Sequence, residues 1–392
     1  MECVLLGGSN SVLRFGIGSG LESQVETKRL GLGATSCIQN LFELERNKDL
    51  ARNAKFIVSE SNVNDSFFAV SSPIDINIIK SEIDEYYRIL SMTNRNIYVV
   101  LLPANHHAHH MERLEIIEQV NERHIFNCLA HGFYIVNLSS ITKSVPVQDL
   151  MNIMPHPRHL HEGLLHQVGV NIANHARSNT SSRAMLKLTG PAYSVIESHE
   201  ILAKTVEKSN SVFCENVAFL KKRLPFPKKN HGMEIVAIAA WPNGYTTIKI
   251  KNITSTTTKC FSKLYSVWEL SKPFKITRYT TVETAFENPK PSEVSRLSKY
   301  NKANRCYVFG LVGFLVRDKT KEIFSPTAVY SYEQVDISPT IVPAIEPYIK
   351  AYRSFIEHRK IITLDEHEEI KKRLDFCENE LLKLYTCELD HP

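Results

Sequence analysis

Short apolar runs alternate with longer amphipathic segments from the start of the chain to about residue 175. The apolar runs predict buried strands, and the segments between them carry apolar residues at helical spacing. The predicted strands are Cys3 to Leu6, Val25 to Leu30, Lys55 to Ser59, Asn96 to Leu102 and Phe133 to Leu138. The predicted helices are Thr35 to Asn47, Ile76 to Met92 and His110 to Ala130. Because strand and helix alternate, we expect a three-layer α/β/α domain with a mostly parallel sheet.

The pattern changes after His175. Residues from about Leu186 to Leu224 have a helical pattern, and Lys222 to Asn230 has the proline and charge content of a linker. Two predicted strands follow, Met233 to Ala239 and Tyr245 to Ile250. They flank a Pro-Asn-Gly turn at residues 242–244, which predicts a hairpin.

Further β-branched and aromatic runs predict a small antiparallel sheet or sandwich. They are Phe274 to Thr281, Cys306 to Val316 and Ala328 to Tyr332. Trp241 and Trp268 are predicted to lie in its core, although aromatic side chains on such a module can also stack on sugar rings.

The end of the chain, from Tyr348 to Tyr385, returns to a helical pattern, with Thr363 or Asp365 as a cap. We therefore expect an α/β/α domain with a trailing helical segment over residues 1–225. A β-rich module follows over residues 226–340, and a helical segment over residues 341–392. Two domains are the default for a chain of 392 residues.

Composition narrows the class of protein. The hydrophobic fraction of 43% and the charged fraction of 23% are typical of a globular protein. The net charge of +5 is modest, and its Lys and Arg residues are dispersed among acids, so we expect no nucleic-acid partner. No run approaches the roughly 20 apolar residues of a membrane span. The amino terminus enters a core-type strand without a signal-like segment, which predicts a cytoplasmic protein.

Two groups of metal-ligating residue types need a separate interpretation. The eight cysteines form no CxxC pair, so we expect free thiols and neither disulfides nor zinc ligands. The HHAHH cluster (His106, His107, His109 and His110) includes an i, i+4 pair that can chelate. With only Glu112 nearby as a further ligand, we favour a polar loop, with substrate or phosphate contacts as its main functional alternative. The sequence predicts no metal.

Ser9 is the first candidate for chemistry. Val4, Leu5 and Leu6 predict a buried strand, and Gly7-Gly8 permits a sharp turn that presents Ser9 at the carboxyl end of that strand. Ligands of open α/β sheets bind at this edge, so Ser9 is a candidate nucleophile. A serine nucleophile needs a base within hydrogen-bond reach and donors for the developing oxyanion.

Three further stretches are predicted to reach the same edge. Arg29 to Ser36 (RLGLGATS) ends a strand in a glycine-rich turn, where Gly33 can present its backbone N–H. Phe56 to Asp65 (FIVSESNVND) ends a strand with Asn64, whose amide can donate. Met154 to Gly163 (MPHPRHLHEG) is a loop that leads into a helix and carries three histidines, His156, His159 and His161. The glycine-rich run Gly16 to Gly20 lacks the full spacing of a nucleotide loop, and we expect a flexible loop beside the site.

Ser, Gly, Asn and His in this order resemble the four blocks of the SGNH, or GDSL-type, hydrolase and acyltransferase superfamily. GGSNS (7–11) is similar to the first block, with Gly8 where Asp is usual, and HPRHL (156–160) is similar to the last. The resemblance implies an α/β/α fold and a Ser9 nucleophile. It implies that Gly33, Asn64 and the Ser9 N–H form the oxyanion hole, and that His159 is the general base.

The last block departs from the family pattern. The family's acid lies three residues before its histidine, where this chain has His156. An imidazole cannot stabilise the imidazolium that forms on His159. Three alternatives stay open: a Ser–His dyad oriented by a backbone carbonyl, a carboxylate from Asp149 or Glu162, or His156 itself as the base.

The resemblance also implies an activity. Members of the superfamily acylate or deacylate esters, including sugar esters and bacterial polysaccharides. For a cytoplasmic chain we expect a bacterial polysaccharide O-acetyltransferase that takes acetyl from acetyl-CoA through a Ser9 acyl-enzyme and passes it to a sugar hydroxyl. The β-rich module would help to bind the polymer or its precursor. The alternatives are a carbohydrate esterase or lipase, which uses the same residues, and a catalytically weak binding protein associated with capsule or other polysaccharide assembly.

Overall fold

The structure is a computed structural model. It describes residues 1–71, 74–104, 111–141, 145–146, 149–150, 153–154, 158–179, 191–210, 213–285, 292–293, 308–319 and 330–360. Among these residues, five strands form a parallel sheet in the order β2-β1-β3-β4-β5. Their bounds are β1 Cys3–Leu6, β2 Thr27–Arg29, β3 Phe56–Ser59, β4 Ile97–Leu101 and β5 Tyr134–Asn137.

Helices connect these strands and continue to the end of the described chain. Their bounds are α1 Ser9–Val12, α2 Ile17–Glu22, α3 Cys37–Arg46, α4 Lys48–Asn53, α5 Asn62–Ser71, α6 Ile76–Thr93, α7 Met111–His131, α8 Glu162–Ser178, α9 Ser198–Ile201, α10 Tyr332–Val335, α11 Ser338–Ile341 and α12 Glu346–Lys360. Each predicted strand and helix before residue 140 is present to within a few residues.

Both faces of the parallel sheet are buried. Successive side chains of β1 alternate between two cores: Val4 and Leu6 pack in one, and Cys3 and Leu5 in the other. Helices α3, α6 and α7 cover the first core, and α2, α8 and α11 cover the second. Burial on both faces explains why β1, β3, β4 and β5 are rich in apolar residues, whereas the edge strand β2 is polar and only partly buried. The predicted three-layer α/β/α architecture is confirmed.

The remaining strands are antiparallel. One sheet of the described residues has the order β13-β10-β15-β8-β7, with β6 beside β15, and a second has the order β12-β11-β14-β9. Their bounds are β6 Ala192–Glu197, β7 Val206–Ser209, β8 Cys214–Leu220, β9 Leu224–Pro225, β10 Glu234–Ala240, β11 Thr246–Lys251, β12 Thr256–Phe261, β13 Ser266–Lys275, β14 Thr281–Thr284 and β15 Phe309–Asp318. A third apolar core lies between them. The predicted β-rich part is therefore present.

Helix α3 joins the two parts. Its Arg46 donates to both carboxylate oxygens of Glu215 on β8, at 2.9 and 2.7 Å, and to Glu197 on β6 at 3.0 Å. Beside it, the buried Glu43 accepts a hydrogen bond from the Tyr265 hydroxyl at 2.7 Å. The first core continues from the parallel sheet into the antiparallel one, so the contact between them is extensive.

Several predicted local structures are wrong. Over 186–224, the described residues form β6 to β9 and only the short helix α9, because the apolar residues of β6 and β8 alternate along extended backbone. Strands β10 and β11 form no hairpin with each other, since each pairs within a different sheet. The run Gly16 to Gly20 lies largely in helix α2, where Gly20 and Gly169 let α2 approach α8 closely.

Several smaller expectations can also be compared with the structure. Trp241 and Trp268 are buried, as predicted for core residues. Tyr332 begins helix α10, so the strand predicted over Ala328 to Tyr332 is wrong where it is described. The predicted caps Thr363 and Asp365 lie outside the described residues. The described cysteines are free thiols, namely Cys3, Cys37, Cys128, Cys214 and Cys260. No helix within the described ranges is long and apolar enough to cross a membrane.

Candidate active site

The turn after β1 presents Ser9 at the carboxyl edge of the parallel sheet. Strand β1 ends at Leu6, and Ser9 is the first residue of α1, with Gly8 as its N-cap. A Cβ on Gly8 would lie 2.2 Å from Nδ2 of Asn64, a distance that real atoms do not occupy. Glycine is therefore required at position 8 by the close approach of the Asn64 amide.

Ser9 and His159 form the centre of the site. The Oγ of Ser9 lies 2.8 Å from Nε2 of His159, although 150 residues separate them in the chain. With Nε2 unprotonated, the serine O–H donates to it, which is the arrangement of a nucleophile and its general base.

Asn10 holds the segment that carries His159. Its Nδ2 donates to the carbonyl of Arg158 at 2.9 Å, and its Oδ1 accepts from the N–H of Leu160 at 3.2 Å. The Asn10 carboxamide thus bonds to the backbone on both sides of His159, and its side chain is buried. Because Asn10 follows Ser9 directly, one turn of chain positions both the nucleophile and the base.

The segment after His159 is fixed to the helices. The N–H of His161 donates to the carbonyl of Ile153 at 2.6 Å, and its ring accepts from the N–H of Gly163, which caps helix α8. Glu162 accepts from the N–H of Phe15 at 3.0 Å. The start of α8 is thereby tied to the segment that follows Ser9.

Asn64 and Gly33 lie on two segments that are joined to each other. Asn64 is in the first turn of α5, and its Nδ2 donates to the carbonyl of Thr35 at 2.9 Å. A carboxamide has two N–H donors, so Asn64 can also donate a second hydrogen bond. The Thr35 hydroxyl accepts a hydrogen bond from the Leu32 N–H at 2.9 Å and donates one to the Leu32 carbonyl at 2.5 Å, which closes a short loop. Gly33 lies within this loop and is exposed, with open space around it. Ala34 has a φ of 61°, a left-handed conformation that is strained for a residue with a side chain.

The other predicted site residues have different positions. Asp149 is buried and accepts from Nε and Nη2 of Arg353 at 3.0 and 2.5 Å. Glu162 is bonded to the Phe15 N–H, as described above. His156 and the HHAHH cluster lie outside the described residues. These contacts tie Asp149 to α12 and Glu162 to the segment that follows Ser9.

Glu60 is a residue of the site that the sequence analysis missed. It follows β3 directly and its side chain is fully buried. Its Oε2 accepts from the N–H of Gly8 at 2.8 Å and from the Ser11 hydroxyl at 3.1 Å. Burial raises the pKa of the Glu60 carboxyl to about 7, and the charge of Asp65 acts in the same direction. The sequence signal for Glu60 was an acidic residue at the end of a predicted strand, four residues before Asn64.

A buried cluster lies next to Asn64. The donor atoms of Cys37, Asp65 and His124 all lie within 4.8 Å of one another, which is close enough to hold a metal ion. Their contacts also form a network: Asp65 accepts from the N–H of Cys37 at 2.9 Å and faces His124 at 3.3 Å. Burial opposes ionisation of Asp65, but these partners outweigh it and keep its pKa below the usual range. The network joins the start of α3 to α5, and so holds the two segments that carry Gly33 and Asn64.

Comparisons with known proteins give structural likenesses only. No protein-family model matches the sequence, and no curated protein is significantly similar to it. The solved structures that resemble this chain include an acetyl xylan esterase, AlAXEase, with 15% sequence identity and a TM-score of 0.37. The match covers 46% of this chain and 100% of that chain. A lipase/acylhydrolase from Enterococcus faecalis has 14% identity and a TM-score of 0.35 over 47% of this chain and 100% of that chain.

A third similar structure is the C-terminal catalytic domain of peptidoglycan O-acetyltransferase A from Streptococcus pneumoniae. It has 14% identity and a TM-score of 0.31, over 45% of this chain and 90% of that chain.

Proposed function

We propose that this chain is a serine acyl-transfer enzyme of the SGNH type, with Ser9 as its nucleophile and His159 as its general base. The observation that carries the proposal is the 2.8 Å contact between Ser9 Oγ and His159 Nε2 at the carboxyl edge of a parallel sheet. The two hydrogen bonds from Asn10 to the backbone on either side of His159 support the proposal, because a base needs a fixed orientation.

In the acylation step, Ser9 Oγ attacks the acyl carbonyl and His159 takes the hydroxyl proton. The negative charge that develops on the carbonyl oxygen is stabilised by the Ser9 N–H, the Gly33 N–H and the Asn64 amide. When the tetrahedral intermediate collapses, the bond to the leaving group breaks, and His159 returns its proton to that group. The product is an ester of Ser9.

In the second step, an acceptor hydroxyl attacks the Ser9 ester while His159 removes its proton. The bond to Ser9 Oγ breaks, and the proton passes to the serine. We propose acetyl-CoA as the donor, which leaves as the free thiol, and a hydroxyl of a bacterial polysaccharide or its precursor as the acceptor. The family resemblance and the net charge of +5, which suits the phosphates of CoA, support this choice.

The experiment supplies acetyl-CoA with and without oligosaccharide acceptors, and measures release of the free thiol together with the mass of the sugar product. We expect thiol release that depends on the acceptor and is lost in Ser9→Ala and His159→Ala. Ser178→Ala, which changes an exposed serine on α8, is the matched control and should behave as the original chain.

Two results would change the conclusion. Acyl release to water at the same rate with or without sugar would contradict the transferase and indicate an esterase. Full turnover by Ser9→Ala would contradict serine acyl transfer altogether.

A further inference from the structure

Glu60 lies beneath the turn that carries Ser9, and it has no part in the steps above. Its two hydrogen bonds reach Gly8, immediately before Ser9, and Ser11, two residues after it. A single carboxylate oxygen therefore bonds to the chain on both sides of the nucleophile. Both bonds are buried, where hydrogen bonds to a charged acceptor are strong.

The space around Gly8 fits this arrangement. A Cβ on Gly8 would lie 3.4 Å from Oε2 of Glu60, so the carboxylate packs directly against the backbone at position 8. Gly8 stands where the resembling family has an aspartate. This chain has no carboxyl group at that position of the turn, and instead presents one from the end of β3.

We infer that Glu60 is a positioning residue for the nucleophile: by accepting from Gly8 and Ser11, its carboxylate fixes the turn that presents Ser9 to His159. This inference rests on the proposed function. It also assigns the Gly8 N–H to Glu60, which leaves the Ser9 N–H as the backbone donor of this turn for an oxyanion.

The protonation state of Glu60 should therefore affect the reaction. Burial raises the pKa of Glu60 to about 7, and the negative charge of Asp65 on α5 adds to this, while the hydrogen bonds from Gly8 and Ser11 oppose it. Two uncharged amides also lie near Glu60 in the described part of the chain: Asn64 lies beside Gly8, and Asn40 of α3 donates to the Glu60 carbonyl at 3.5 Å.

The second carboxylate oxygen, Oε1, is buried and has no hydrogen-bond partner among the described residues, so we expect the proton to bind there. A neutral carboxyl is a weaker acceptor than a carboxylate, and the turn is then held less firmly. Activity should rise with pH through the pKa of Glu60 as well as through that of the base.

The test is the pH dependence of kcat/KM for p-nitrophenyl acetate hydrolysis, from about pH 5 to about pH 9. Glu60→Gln keeps the size of the side chain and an acceptor oxygen but cannot ionise. For Glu60→Gln, we expect the fall of kcat/KM at acidic pH to follow one ionisation, that of His159. In the original chain it should follow two, those of His159 and Glu60. We also expect the plateau of Glu60→Gln to be about tenfold lower, the effect of weakening one charged hydrogen bond.

Glu43→Gln is the matched control, because burial also raises the pKa of Glu43 to about 7, but its hydrogen bonds come from Tyr265 and Arg46, away from the turn. Its pH profile should be that of the original chain. A Glu60→Gln profile that is unchanged in both limb and plateau would overturn the inference.

A second variant keeps the test decisive if Glu60→Gln does not fold. Ser11→Ala removes one of the bonds that lower the pKa of Glu60, so the acidic limb should move to higher pH. An unmoved limb contradicts the inference. Labelling of Ser9 by a sulfonyl fluoride distinguishes this inference from the proposed function. If Ser9 is labelled but the pH profiles of the variants match that of the original chain, only the role of Glu60 is refuted. If Ser9 is not labelled and there is no turnover, both are refuted.

Discussion

Replacing Asn10 by alanine tests whether this residue positions the catalytic base. The change removes the hydrogen bonds to Arg158 and Leu160 and leaves a carbonyl and an N–H of the His159 segment without those partners. Each bond contributes about 0.5–1.5 kcal/mol, so the two together hold the segment by about 1–3 kcal/mol. The 2.8 Å contact between His159 and Ser9 is then held less firmly.

We expect Asn10→Ala to lower kcat/KM for p-nitrophenyl acetate by roughly 10- to 100-fold, the cost of misplacing a catalytic group by about 1 Å. The melting temperature should also fall, because the side chain is buried. Circular dichroism shows whether the fold is retained, and steady-state kinetics measures the activity.

Asn94→Ala is the control for this experiment. Asn94 is also buried and donates to two carbonyls, those of Ala51 and Ala54 at 2.9 and 2.8 Å, but it lies at the opposite edge of the sheet, just before β4. The Asn94→Ala variant should have a lower melting temperature and an unchanged kcat/KM. If Asn10→Ala keeps its activity, or if Asn94→Ala loses as much, the positioning role is refuted.

Three further changes have defined outcomes. Gly8→Ala places a methyl group where the Asn64 amide lies. It should lower kcat/KM by about 100-fold, the cost of one oxyanion donor, and leave the far-ultraviolet circular dichroism spectrum unchanged. Normal activity would contradict the role of Asn64 as an oxyanion donor. Ala34→Gly relieves a left-handed residue and should stabilise the chain by about 1 kcal/mol in urea unfolding, whereas a loss of stability would show that there is no strain to relieve. Burial raises the pKa of Glu43 to about 7, so the folded state favours the protonated form, and this stabilisation is lost as pH rises from about 4.5 to about 7. The melting temperature of Glu43→Gln relative to the original chain should therefore rise over that range, and a constant difference would contradict this account.

The parallel sheet was predictable because β1, β3, β4 and β5 are buried almost entirely on both faces. Such strands are continuous apolar runs, and the helices between them keep their spacing over three or more turns. Ser9 and His159 could be paired by their family resemblance, and the structure brings their side chains together. Each of these features is visible in a short stretch of sequence.

The missed features depend on contacts between distant parts of the chain. Whether β10 pairs with β11 or with β13 and β15 depends on the packing of the third core, which leaves no mark in the turn at 242–244. Similarly, nothing local shows that the Asn10 amide reaches across 148 residues to Arg158, or that Glu60 reaches Gly8. A polar residue beside a strand end is equally compatible with a solvated turn.

Whether Ser9 carries the acyl group can be measured by intact-mass analysis after brief mixing with acetyl-CoA. We expect the mass to increase by one acetyl group. Peptide mapping should assign this group to Ser9, an acceptor hydroxyl should remove it, and it should be missing in Ser9→Ala. An adduct of the same size in Ser9→Ala, or one mapped to a cysteine or lysine, would contradict this role of Ser9.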